Sequence, residues 1–174
     1  SAASDVYKRQ AKTLGKLVSF DVNYREPMWA GDRRAAISAV SELLPWIDFL
    51  KFSAEEADFF PEDIAGLSLT GPELIIKTLG KAGAELYWKG RRYSAPGREV
   101  ECVDATGAGD AFWGAFLSGL LINKLRTAAD IREDVLLQAL EYANAAASIC
   151  VQSKGAMESL PSRQEICRLL GRET

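Results

Sequence analysis

The sequence predicts an α/β domain in which helices are layered on a mostly parallel sheet. Two observations predict it. Short apolar runs of strand-like composition alternate with segments whose apolar residues recur at helical spacing. A glycine-rich run, Asp104-Ala105-Thr106-Gly107-Ala108-Gly109-Asp110, then stands between a strand-like segment and a long apolar helix.

The elements follow in order. Residues 1–10 are read as a non-native or disordered leader. Asp5-Val6-Tyr7-Lys8-Arg9-Gln10 resembles the in-frame translation of a transposon end used in sequencing libraries, and an ordinary frayed terminus is the alternative. Leu17 to Val22 is a buried strand. Asp32 caps a helix through Leu44, on which Ala36, Ile37, Val40 and Leu44 recur at helical spacing. Ile47 to Phe52 is a second strand, and Ser53-Ala54-Glu55-Glu56 after it is a capping box for a short helix.

Leu74 to Thr78 is a third strand. Ala84 to Trp88 and Arg91 to Ser94 flank Lys89-Gly90 and form a hairpin. Val100 to Val103 is a strand leading into the glycine-rich run, and a helix follows from Ala111 to Ile122. Asp134 to Val151 is a long alanine-rich helix. Ser162-Arg163-Gln164-Glu165 is a second capping box, opening a last helix through Leu170. The pattern begins in mid-fold, on a strand with no βα unit before it.

Composition narrows the chemistry. At 174 residues the chain suits one domain with a sizeable core. A net charge of -3 argues against a nucleic-acid partner, which needs a basic face. No apolar stretch reaches membrane-spanning length and no signal peptide is visible, so no membrane partner is expected. Three widely spaced cysteines, Cys102, Cys150 and Cys167, suit neither a disulfide framework nor a zinc cluster, and a cytoplasmic location is expected. The chain contains no histidine. Histidine-dependent hydrolases and histidine-ligated metal sites are thereby removed, and proton transfer falls to a carboxylate, Lys, Tyr or Cys.

The glycine-rich run carries the most chemistry. Glycines let the backbone turn tightly and aim several N–H groups at one point, and the helix N-terminus adds unpaired donors and partial positive charge. The result is an anion site suited to phosphate. It is not a Walker loop, because Asp110 follows Gly109 where Lys-Ser/Thr is required. Nor is it a dinucleotide fingerprint, because Phe112 stands where the third glycine belongs. Asp110 at the mouth of such a site is a base for an acceptor hydroxyl; on spacing alone it is equally a helix cap.

Asp104 to Phe112 resembles the C-terminal signature of the PfkB (ribokinase-like) carbohydrate kinases, with Ala105 where Thr is commoner. The resemblance implies the C-terminal part of a ribokinase-like fold, a Rossmann-like layered arrangement, with the lid domain absent. It implies ATP-dependent transfer to a sugar hydroxyl, with Asp110 as base and Gly107, Ala108 and Gly109 as anion hole. Phe20 to Trp29 is similar to a fructokinase and ketodeoxygluconate kinase segment, which places Asn23 and Arg25 near the sugar and the transferring phosphoryl group. Without the family, Arg25 reads as a loop arginine paired with Glu26 or Asp32. Lys51 to Glu56 is similar to the family's Asn-x-x-Glu region, with Ser53 replacing Asn, and implies Glu56 beside Mg²⁺; the capping box explains Ser53 and Glu56 equally.

Thr78-Leu79-Gly80-Lys81-Ala82-Gly83 resembles the family's nucleotide loop, so Thr78, Gly80 and Gly83 are expected at ATP, and Asn144 at the adenine. Gly155 and Ser159 resemble a loop that holds a monovalent cation such as K⁺ together with Asp104 and Thr106, with Cys150, Ser153 and Gly155 contributing carbonyls. The stretch Phe59 to Gly71, carrying Pro61, Gly66 and Gly71, departs from the family pattern, and a shortened crossover helix is expected there. Residues 11–174 are thus read as the ATP-binding and catalytic portion of a fructokinase-like enzyme, with sugar and ATP as partners and a homodimeric parent implied. An inactive nucleotide-binding remnant, a 2-keto-3-deoxygluconate kinase and a purely structural glycine turn are the competing readings.

Overall fold

The computed structural model describes residues 2–59 and 64–172. The chain divides into two compact units. One comprises the residues up to Thr78 with Glu85–Tyr93 and Arg126–Ala129; the other comprises Leu79–Ala84, Ser94–Leu125 and the chain from Asp130 on.

The sheet is formed by β1 (Ser19–Asp21), β2 (Phe49–Ser53), β3 (Leu74–Thr78), β4 (Gly83–Trp88) and β5 (Arg91–Pro96), in that spatial order, and the first unit holds β1, β2, β3 and the parts of β4 and β5 within Glu85–Tyr93. β1, β2 and β3 are parallel, with Asp21 opposite Lys51 and Lys51 opposite Ile76. Parallel strands need helical crossovers. These are α2 (Arg33–Leu43) and, as far as the described residues run, α3 (Ala54–Ala57) and α4 (Ile64–Thr70). The Asp32 side chain accepts the Ala35 N–H at 3.0 Å and starts α2. Ser53 and Glu56 close the expected capping box at α3. Ile47, Leu50, Phe52, Ala57, Ile75 and Tyr87 form the buried core, against which Phe20, Val22 and Leu43 pack.

The β4–β5 turn is at Lys89 and Gly90, both at positive φ (51° and 71°), the conformation a two-residue hairpin demands. The expected hairpin is therefore present, and the sheet is mixed. α4 spans seven residues, in keeping with a shortened crossover; Pro61 lies outside the described residues.

The second unit is dominated by α5 (Ala108–Ile122) and α6 (Glu133–Cys150), with α7 (Arg163–Leu170) following its own capping box at Ser162 and Glu165. Alanine and glycine let α5 and α6 approach closely. A Cβ at Gly119 would stand 3.2 Å from Ala139 Cα.

Residues 2–10 are the first part of α1 (Ala2–Thr13). Two expectations need correction. Val100 to Val103 is not a strand; both valines are exposed, and the Val103 N–H pairs with Val151 O at 2.7 Å at the end of α6. The helix expected from Ala111 begins at Ala108, because Gly107 at φ 82° supplies the left-handed residue that starts it directly after the turn.

Candidate active site

The second unit carries the glycine turn. Gly107 caps α5 with its backbone, and its O accepts the Ala111 N–H at 2.8 Å. The Ala108 N–H is spent on Ala105 O at 3.2 Å. The N–H groups of Gly107, Gly109 and Asp110 have no acceptor among the described residues. Of the three residues expected to form an anion hole, Gly107 and Gly109 therefore present free donors and Ala108 does not. The third free donor is the Asp110 N–H, which sequence reasoning missed because a backbone donor leaves no trace in side-chain identity. That carboxylate is on the exposed first turn of α5, beside these donors. Unpaired amides at a helix start attract an anion, and a carboxylate one residue on can take a proton from a hydroxyl brought there.

Asp104 holds the turn's other flank. Its Oδ1 accepts the Thr106 N–H at 2.9 Å and its Oδ2 the Gly155 N–H at 3.1 Å. The Thr106 side chain and N–H, then the Gly155 N–H, hold the Asp104 carboxyl down at about 2. The Asp104–Gly155 bond ties the turn to the loop after α6. There the Cys150 thiol lies 3.1 Å from Ser159 Oγ and 3.9 Å from Thr106 O, and the Ser159 hydroxyl donates to Gly155 O. The Ser153 N–H donates to Cys150 O at 3.4 Å, and its side chain is exposed. The structure thus brings Asp104, Thr106, Cys150, Gly155 and Ser159 together, with Ser153 at the margin. A carboxylate with carbonyl oxygens is the donor chemistry a hard cation takes; here the Thr106, Cys150 and Gly155 carbonyls each accept a hydrogen bond, from the Cys150 thiol, the Ser153 N–H and the Ser159 hydroxyl. Among the described residues no three His, Cys, Asp or Glu side chains cluster to hold a metal by themselves.

The expected nucleotide positions separate. Gly80, at φ 57°, has open space where a Cβ would be, so its backbone is accessible. Gly83 is closely packed: at φ 104°, a Cβ there would stand 2.2 Å from Ala95 O. Gly97, which sequence reasoning passed over, is the counterpart, with a Cβ position 2.1 Å from Lys81 O. Asn144, expected at the adenine, is buried on α6 and donates its amide to Ala95 O at 3.1 Å and Pro96 O at 3.3 Å. It fastens α6 to the chain leaving β5. In the first unit, the Thr78 hydroxyl donates to Phe52 O at 3.5 Å, across β2 and β3.

The remaining expected residues gather at the C-terminal ends of β1 and β2. Asn23 is exposed at φ 45°, and the Arg25 guanidinium folds back onto Tyr24 O at 3.1 Å. No ion pair links Arg25 to Glu26 or Asp32 among the described residues. Glu56, expected beside magnesium, is buried and already engaged: Oε1 accepts the Tyr24 N–H at 2.5 Å and Oε2 the Ser53 N–H at 2.7 Å. Sequence reasoning also missed the pairing of buried Lys51 with half-buried Asp21, 2.8 Å and 2.9 Å to the two oxygens. A lysine inside the apolar run Phe49-Leu50-Lys51-Phe52 was the available signal, since a buried ammonium needs a carboxylate.

Comparison with known proteins bears on the family. Residues 2–163 match the pfkB family carbohydrate kinase model. The chain is 35% identical over 162 residues to Fructokinase-2 of Oryza sativa subsp. japonica, a match covering 88% of this chain and 47% of the relative. It superposes with a TM-score of 0.84 on the fructokinase of Vibrio cholerae O395 bound to fructose, ADP and calcium, at 28% identity, covering 97% of this chain and 55% of that one. For the aminoimidazole riboside kinase of Salmonella enterica, complexed with aminoimidazole riboside and an ATP analogue, the TM-score is 0.77 at 30% identity, covering 94% and 55%. The chain spans about half the length of the curated relatives it matches. It belongs to the pfkB family of carbohydrate kinases.

Proposed function

We propose that this chain carries the phosphate-handling half of an ATP-dependent sugar kinase, with fructose as the preferred acceptor. The observation that carries the reading is the set of unpaired N–H groups at Gly107, Gly109 and Asp110 beside the exposed Asp110 carboxylate. The γ-phosphate of ATP faces these donors. Asp110 takes the proton from the sugar hydroxyl, whose oxygen attacks phosphorus while the bond to the β-phosphate oxygen breaks and ADP departs. Charge growing on the transferred oxygens is met by donors that need no reorganisation. Gly80 offers its backbone to the nucleotide, and Asn23 and Arg25 serve the acceptor and the transferring phosphoryl group. Bound magnesium would neutralise phosphate charge. A monovalent cation would be held by Asp104 and the carbonyls of Thr106, Cys150 and Gly155.

Fructose is preferred over 2-keto-3-deoxygluconate on the likeness to fructokinases. A homodimeric parent and a cytoplasmic location complete the reading. No described helix is long and apolar enough to cross a membrane. The second reading is a nucleotide-binding remnant with little catalysis. Titrating the 174-residue chain with Mg-ATP by calorimetry tests both. Heat of binding is expected, together with slow transfer to fructose. Absence of any binding would leave the glycine turn a mere connection, and brisk fructose-dependent ADP release would dismiss the remnant reading.

A further inference from the structure

We infer that Glu56 is a positioning residue for the Asn23–Arg25 loop, acting by clamping the Tyr24 N–H. The inference rests on the proposed placement of Arg25 at the phosphoryl group. The chain leaving β1 is held at successive points. Lys51 Nζ grips both oxygens of Asp21, and the Val22 N–H extends the ladder to Lys51 O at 2.9 Å. Asn23 then takes a left-handed conformation, φ 45°, and the next N–H, that of Tyr24, lands on Glu56 Oε1. The loop is thus pinned immediately before and after its one left-handed residue.

Capping α3 does not require this clamp. The capping box uses Glu56 Oε2 on the Ser53 N–H and Ser53 Oγ on the Glu56 N–H. Oε1 is left over, and in a buried setting it reaches a residue thirty-two positions away instead of solvent. An N–H bonded to a carboxylate is short and charge-assisted, so it fixes geometry more firmly than a neutral bond. Its consequence falls on Arg25, the residue directly after the clamp. With Tyr24 held, its O is fixed as the acceptor of the exposed Arg25 guanidinium at 3.1 Å, which favours one position of the arginine over others. A group held ready before the ligand arrives binds it at lower entropic cost.

Substitution of Glu56 separates this role from capping and from cation binding. Glu56→Gln keeps the shape but replaces one of the two acceptor oxygens with a donor, so it cannot serve both N–H groups. Ser53→Ala removes half the capping box and leaves the clamp intact. Amide hydrogen exchange of the 174-residue chain, read by ¹⁵N NMR, is expected to accelerate at Tyr24 at least tenfold in Glu56→Gln and to change little there in Ser53→Ala. Titration with inorganic phosphate, followed at the Arg25 Nε–H resonance, is expected to weaken several-fold in Glu56→Gln and not in Ser53→Ala.

Titration with MgCl₂ alone completes the set. Unaltered Tyr24 exchange in Glu56→Gln overturns the clamp, as does a several-fold loss of magnesium affinity with phosphate binding unchanged. If Arg25→Ala binds phosphate as wild type does, the placement of Arg25 fails while the exchange result still decides the clamp.

Discussion

Gly107 lies against Ala156 so closely that a Cβ at 107 would stand 3.0 Å from both the Cα and the Cβ of Ala156. The glycine also holds φ at 82°, which side chains rarely adopt. Gly107→Ala is therefore expected to cost about 1–3 kcal/mol of stability and to weaken Mg-ATP binding by displacing the free amides. Gly114, on the same helix, has nothing within 4 Å of its Cβ position; Gly114→Ala should stabilise by about 0.5–1 kcal/mol. Urea denaturation of both, with calorimetry for ATP, checks the pair.

Replacement of Asp110, the proposed base, separates chemistry from binding. Asp110→Ala leaves the Gly107 and Gly109 donors in place, so its dissociation constant for Mg-ATP should stay within about twofold. Transfer to fructose should fall by about 10²–10⁴-fold, the usual contribution of a positioned base. Radiolabelled ATP gives the sensitivity that slow turnover requires. Unchanged transfer would remove Asp110 from the chemistry.

Asp104 makes the turn sensitive to acid. Its carboxyl titrates at about 2 in the folded protein against an ordinary value of 3.8. Because the folded value is the lower one, its contribution to stability is complete above 3.8 and is lost as pH falls towards about 2. Asp104→Asn should be less stable than wild type at neutral pH, and the difference should close across that interval. Urea midpoints measured from pH 7 to pH 2 check it.

Asn144 provides a test of structure against ligand. Asn144→Ala leaves Ala95 O and Pro96 O without their donor and is expected to cost about 1–3 kcal/mol. If its work is structural, affinities for Mg-ATP and for magnesium tripolyphosphate should shift together. A selective loss for ATP would return it to the adenine.

Much of the fold was legible because its signals are local. The cap at Asp32, the boxes at Ser53 and Ser162 and the turn at Lys89-Gly90 each lie within a few residues of the groups they satisfy. The glycine turn was legible for the same reason. Val100 to Val103 misled because β-branched composition is only a preference; the segment bonds to the end of α6 and joins no ladder. Glu56, Asn144 and Gly83 were assigned to ligands, yet each meets backbone from a distant part of the sequence. Local patterning carries no record of such partners. Lys51 with Asp21 was the exception, a long-range pair announced by a charge in an apolar strand.

The approach of main chain at Gly83 and Gly97 has a consequence for how glycine-rich stretches are interpreted. Each position faces a backbone atom of the opposing strand end, so neither tolerates a methyl group whatever side chains surround it. Saturation libraries selected only for folding should return glycine at both sites, with no nucleotide present. Intolerance to substitution in this loop therefore measures steric exclusion between two peptide planes, and contact with a ligand has to be established separately.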